Sequence, residues 1–151
     1  MVLEYQSVTS LSNQRKFSKA KPDKPRLLAL SVIREVNASD GYSNLILPKM
    51  LAQSSLDVRD RSFVTELVYG TLRMQGLYDF IFSQISSRPW KEVDGEVKDI
   101  SRLGAHQILS MRVPDHAAVS STVDLARFTL GEPQGAFVNA LLRKLASQTV
   151  D

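Results

Sequence analysis

Cysteine is absent from this sequence, and histidine occurs only twice, as His106 and His116. The first absence excludes a disulfide scaffold, a cysteine-ligated zinc or iron–sulfur site and a cysteine nucleophile within the chain. The two histidines fall on different predicted helices, so no metal site is assigned. Long apolar runs are missing too: no stretch approaches the ~18 residues that span a membrane, and no secretory signal opens the chain. Glycines never cluster as a Walker loop or as G-x-G-x-x-G after a strand, and none flank a serine as a nucleophile elbow. No useful segment alternates with period two, which removes strands. Aromatic residues make up a modest 7%. A soluble, cytoplasmic, non-catalytic chain remains.

What is there is enough for one core. The chain has 151 residues, 43% of them hydrophobic, with a formal charge of +3; that is one domain's length. The charge is lopsided. Arg15, Lys16, Lys19, Lys21, Lys24 and Arg26 stand near the N-terminus against only Glu4 and Asp23. Residues 1–25 also hold Pro22 and Pro25 and show no apolar period, so they read as a flexible basic arm. Residues 26–151 form the folded domain.

The domain's period is helical throughout. Ala29, Leu30, Val32, Ile33 and Val36 mark a first helix after Pro25. Ser43 is a candidate cap for a second, which Pro48 should shorten or bend. Asp57 caps a third, with Val64, Leu67, Val68 and Leu72 on one stripe, ending near Gly76. Tyr78, Phe80, Ile81, Phe82 and Ile85 suggest a fourth, apolar on most sides and therefore central. After a loop around Arg88-Pro89-Trp90, Asp94 opens a fifth helix. Pro114-Asp115 opens a sixth ending at Gly131, and Val138, Leu141, Leu142 and Leu145 mark the last. The expected fold is all-α, a bundle of about seven helices.

Two segments carry more polar detail than solubility needs. In the first, running from Asp57 to Arg73, Asp60, Arg61, Glu66, Tyr69 and Arg73 surround the apolar stripe. Glu66 and Arg73 lie two turns apart with Tyr69 between them. Asp60, Glu66 and Tyr69 are expected to form a hydrogen-bond network between helices; Arg61 and Arg73 are candidate RNA contacts. In the second, Phe137-Val-Asn-Ala-Leu-Leu-Arg143, an amide interrupts an apolar run. Asn139 is expected to tie two helices together, and Arg143 is a further candidate RNA contact. Asp79 and Asp124 read as helix-surface or capping groups.

Together with Val113-Pro114-x-His-Ala-Ala-Val119, these segments resemble the NusB-type N-terminal domain of bacterial small-subunit rRNA cytosine-C5 methyltransferases, the Sun/Fmu group. The resemblance extends from about Arg26 to Ala146. Stand-alone NusB antitermination factors share the fold, but their last helix usually reads Val-Asn-Gly without the later arginine, so Ala140 and Arg143 favour the methyltransferase branch. The resemblance implies an RNA-binding accessory domain that positions small-subunit rRNA. It also implies a C-terminal methyltransferase domain, absent from this chain, that would bring S-adenosylmethionine and catalytic cysteines; no cofactor is assigned to the chain itself. RNA contacts are then expected from Arg15, Lys16, Lys19, Lys21, Lys24 and Arg26 on the arm and Arg61, Arg73 and Arg143 on the body. The alternative is a stand-alone antitermination factor that pairs with a ribosomal protein.

Overall fold

The computed structural model describes residues 21–148. Among them are six α-helices, one 3₁₀ turn and no strand: α1 (Lys24–Ser39), α2 (Ser43–Gln53), α3 (Val58–Ile85), the turn Trp90–Glu92, α4 (Gly95–Leu109), α5 (Asp115–Leu130) and α6 (Glu132–Gln148). The all-helical expectation is met, but the count is six rather than about seven. The difference lies at Gly76. A glycine ends a helix when it turns left-handed, and only Asp40 and Gly131 have positive φ among the described residues. Gly76 keeps helical geometry. The helix capped by Asp57, whose carboxylate accepts from the Asp60 amide at 2.8 Å, therefore runs on to Ile85. Burial of Tyr78, Phe82 and Ile85 outweighs the ~1 kcal/mol that an internal glycine costs.

Other boundaries move for local reasons. α1 begins at Lys24 because Asp23 caps it, accepting from the Arg26 amide at 2.9 Å, so Lys24 belongs to the body rather than to the arm. α2 begins after Tyr42, which contributes no side-chain cap, and runs through Pro48 to Gln53. Asp94 precedes α4 without bonding it through its side chain.

The central element is α4, not the Tyr78–Ile85 segment. It packs against α1, α3, α5 and α6, and nearly every residue from Val97 to Gln107 is buried. Gly104 lets it approach so closely that a Cβ there would meet Leu142 of α6 and Thr122 of α5. The C-terminal half of α3, by contrast, buries one face only: Phe80 is 64% exposed and Leu77 is also exposed.

Charge inside the bundle is paired. Asp99 of α4, 1% exposed, accepts from Arg34 at 2.6 Å, Asn37 at 2.6 Å and Arg102 at 3.0 Å. Arg102 reaches on with two bonds of 2.8 Å to Asp79, which also accepts from the Trp90 indole at 3.0 Å. Asp79 is thus a junction of α3, α4 and the 3₁₀ turn, not a surface or capping group. A buried carboxylate with that many donors is satisfied, and removing one partner would strand the others.

Candidate functional site

The polar segment of α3 splits between two jobs. On its inner side, His106 of α4 is 1% exposed. Its Nε2 lies 2.9 Å from Glu66 Oε2, and its Nδ1 lies 2.7 Å from the Tyr78 hydroxyl. A carboxylate can only accept, so Nε2 carries a proton, and in the neutral ring Nδ1 then accepts from Tyr78. Burial pushes the Tyr78 hydroxyl above its ordinary pKa, against a hydrogen bond from Ser110 at 3.1 Å that lowers it, so the hydroxyl keeps its proton to donate. Gly70 makes this chain possible: a Cβ there would overlap the His106 ring and Glu66 Oε2. An imidazole thus holds the Glu66 carboxylate from behind, while 54% of the glutamate side chain stays exposed.

On its outer side, α3 lines an open groove of about 570 Å³ with Val58, Arg61, Ser62, Thr65, Glu66, Tyr69 and Arg73, and Leu51 of α2 completes the lining. Arg61 is half-buried and anchored, its Nη1 donating to Leu51 O at 2.9 Å. Arg73 is exposed. The expected network between helices forms through Glu66 alone, whose partner is His106 of α4; Asp60 and Tyr69 make no hydrogen bond to Glu66. Tyr69, half-buried and packed partly against the core, and Arg73, exposed, lie one turn apart along the groove.

Asn139 is also not a helix tie. It is half-buried and lines a second groove, of about 450 Å³ between α5 and α6, together with His116, Asp124 and Arg143. The apolar stripe of Val138, Leu141, Leu142 and Leu145 faces the core; Asn139 and Arg143, four apart, share the margin beside it, where water can satisfy an amide. Arg143 is exposed.

The arm's candidates fare differently from one another. Arg15, Lys16 and Lys19 lie outside the described residues; Lys21 and Lys24 are exposed. Arg26 is committed to the fold. Its side chain is 15% exposed, it donates to Gln107 Oε1 at 2.8 Å and to Asp23 at 3.0 Å, and its guanidinium lies 4.9 Å from the centre of the Phe63 ring. A guanidinium so occupied is not available to a phosphate. Among the described residues, no group of three or more His, Asp or Glu side chains could hold a metal ion, and no helix is long and apolar enough to cross a membrane.

Sequence reasoning missed His106, Gly70 and the Arg34–Asp99–Arg102–Asp79 junction. Its available signals were a glycine amid a helical stripe and, in α4, an Asp–Arg pair three residues apart beside an apolar face.

Six helices that open onto two arginine-bearing grooves describe a helical domain, and its family can be stated. Residues 23–147 match the NusB family, and the chain belongs to it. Among its relatives, a Mycobacterium tuberculosis (strain H37Rv) protein described as a methyltransferase is 41% identical over 126 residues, covering 83% of this chain and 28% of the relative. The ribosomal RNA small subunit methyltransferase B of Thermus thermophilus is 41% identical over 122 residues, 81% of this chain and 30% of the relative. That of Pseudomonas putida is 32% identical over 120 residues, 80% and 27% respectively. The chain spans less than a third of the length of these curated relatives.

Proposed function

We propose that this NusB-family chain is the RNA-binding accessory domain of a small-subunit rRNA 5-methylcytosine methyltransferase, acting in the cytoplasm and positioning rRNA for a catalytic domain that lies outside this sequence. The observation that carries the reading is the match, over most of the chain, to the corresponding third or less of proteins named ribosomal RNA small subunit methyltransferase B. The surface agrees with it. Arg61, Arg73 and Arg143 line solvent-open grooves, and neutralising phosphates gives affinity that falls with salt. Lys21 and Lys24 extend the cationic surface at the start of α1, and Arg15, Lys16 and Lys19 stand just before them in sequence.

On this reading the chain takes no S-adenosylmethionine of its own. That cofactor belongs to the partner domain, which would supply the methyl group and the attacking cysteine. The test is a titration of a small-subunit rRNA fragment into the purified chain at several salt concentrations, with calorimetry against S-adenosylmethionine alongside. Salt-dependent RNA binding without cofactor heat is the expected result. Tight cofactor binding, or no affinity for rRNA above that for double-stranded DNA, would overturn it.

A further inference from the structure

Glu66 is an odd residue to find between two arginines in a groove meant for an anion. A free glutamate there could swing aside or pair with Arg73. This one does neither. Its Oε2 is held at 2.9 Å by a buried histidine, the histidine is held at 2.7 Å by Tyr78, and Gly70 leaves the room both need. Three residues on two helices are arranged to keep one oxygen fixed on a carboxylate that lines the groove and stays half-exposed.

Along α3, Glu66, Tyr69 and Arg73 follow one another at about 4.5 and 6 Å of axial rise, on the same side of the helix. Tyr69 is half-buried, packed partly against the core, and lines the groove beside Glu66; its ring is of the kind on which an unpaired base stacks. Arg73 and the anchored Arg61 stand on either side, where the flanking phosphates would run. The free oxygen of Glu66 then lies at the edge of the stacked base. A fixed carboxylate accepts a hydrogen bond from an exocyclic amino group, as glutamate does from cytosine N4, and repels a carbonyl oxygen. Uracil offers only carbonyl oxygens and a ring N–H on that edge.

We propose that the α3 groove is a single-nucleotide subsite for unpaired RNA that selects a base carrying an exocyclic amino group, cytosine above uracil, through a carboxylate fixed by His106. This rests on the RNA-binding reading above and adds to it a location and a specificity. The substitution that discriminates best is Glu66→Gln. The glutamine carbonyl still accepts from His106, so the interior is preserved, while its amide now presents an N–H to the groove and donates to uracil O4.

The experiment is fluorescence anisotropy with end-labelled single-stranded oligocytidine and oligouridine at low salt, run beside the rRNA fragment. Wild type is expected to favour oligocytidine by about tenfold or more, the ratio that one hydrogen bond to a charged group supports. Glu66→Gln is expected to abolish or reverse that preference at unchanged melting temperature. Tyr69→Ala is expected to weaken both oligomers about tenfold, and Tyr69→Phe to restore binding, since stacking needs the ring and not the hydroxyl. Equal affinity for the two oligomers, unaltered by Glu66→Gln, would overturn the selectivity. Unchanged binding by Tyr69→Ala would overturn the subsite. If the rRNA fragment still binds in either case, the broader reading stands and this one alone falls; if no RNA binds at all, both fall.

Discussion

Gly70 and Asn139 are both small departures from an apolar helical pattern, and their environments assign them opposite roles. Gly70 is an interior requirement, because any side chain there displaces the His106 ring. Asn139 reads in sequence as a buried amide in need of partners, yet it lies at the rim of the α5–α6 groove. The expectation for substitution changes accordingly. Were Asn139 a tie between helices, Asn139→Leu would leave its partners unpaired and cost about 1–3 kcal/mol. At the rim, with no partner to strand, it should shift unfolding free energy by no more than about 0.5 kcal/mol. Urea denaturation checks this, and a loss above 1 kcal/mol would return Asn139 to the interior network.

At the scale of elements, α3 is the instructive case. Gly76 sits in the middle of this 28-residue helix with nothing within 4 Å of where a Cβ would be. Gly76→Ala therefore meets no clash and removes a backbone-entropy cost, for a gain of about 0.5–1 kcal/mol. A rise of about 3 °C in melting temperature is expected for a domain of this size; a fall would mean that the glycine serves something other than the helix. Gly76 also shows why the helix count is not legible from the local pattern. A glycine is ambiguous locally, and the burial of Tyr78 and Phe82 that carries the helix past it is a tertiary fact. Where the deciding chemistry is local, the pattern was readable: the Asp57 cap, the Gly131 stop at φ 100°, and the shared face of Glu66, Tyr69 and Arg73. Where it joins distant residues it was not. Nothing near Glu66 in sequence points to His106, and nothing near Arg26 points to Gln107 and Phe63.

For the whole molecule, the question is how arm and body divide the work of binding. Asp23 caps α1 and pairs with Arg26, so a clean truncation must stop before it. Removing residues 1–20 deletes Arg15, Lys16 and Lys19 while sparing every contact made by Asp23. Melting of the body should be unchanged. If all three charges meet phosphates of single-stranded RNA, the slope of log affinity against log salt falls by about 2, at roughly 0.7 per contact. An unchanged slope would leave affinity to Lys21, Lys24, Arg61, Arg73 and Arg143.

α3 is long for a domain of this size. Twenty-eight residues at about 1.5 Å each make a rod of roughly 42 Å, three times the radius of gyration of about 14 Å for a domain of this size. The groove occupies one half of that rod, and the Asp79 junction locks the other half to α4 and the 3₁₀ turn. The α3 wall of the groove is therefore tied to the fold as a whole. Amide protons from Arg61 to Phe82 should exchange with solvent as one slow cooperative unit, at rates set by global unfolding. A ligand in the groove should slow the far end of the helix as much as the near one, because whatever binds there stabilises the whole fold by mass action.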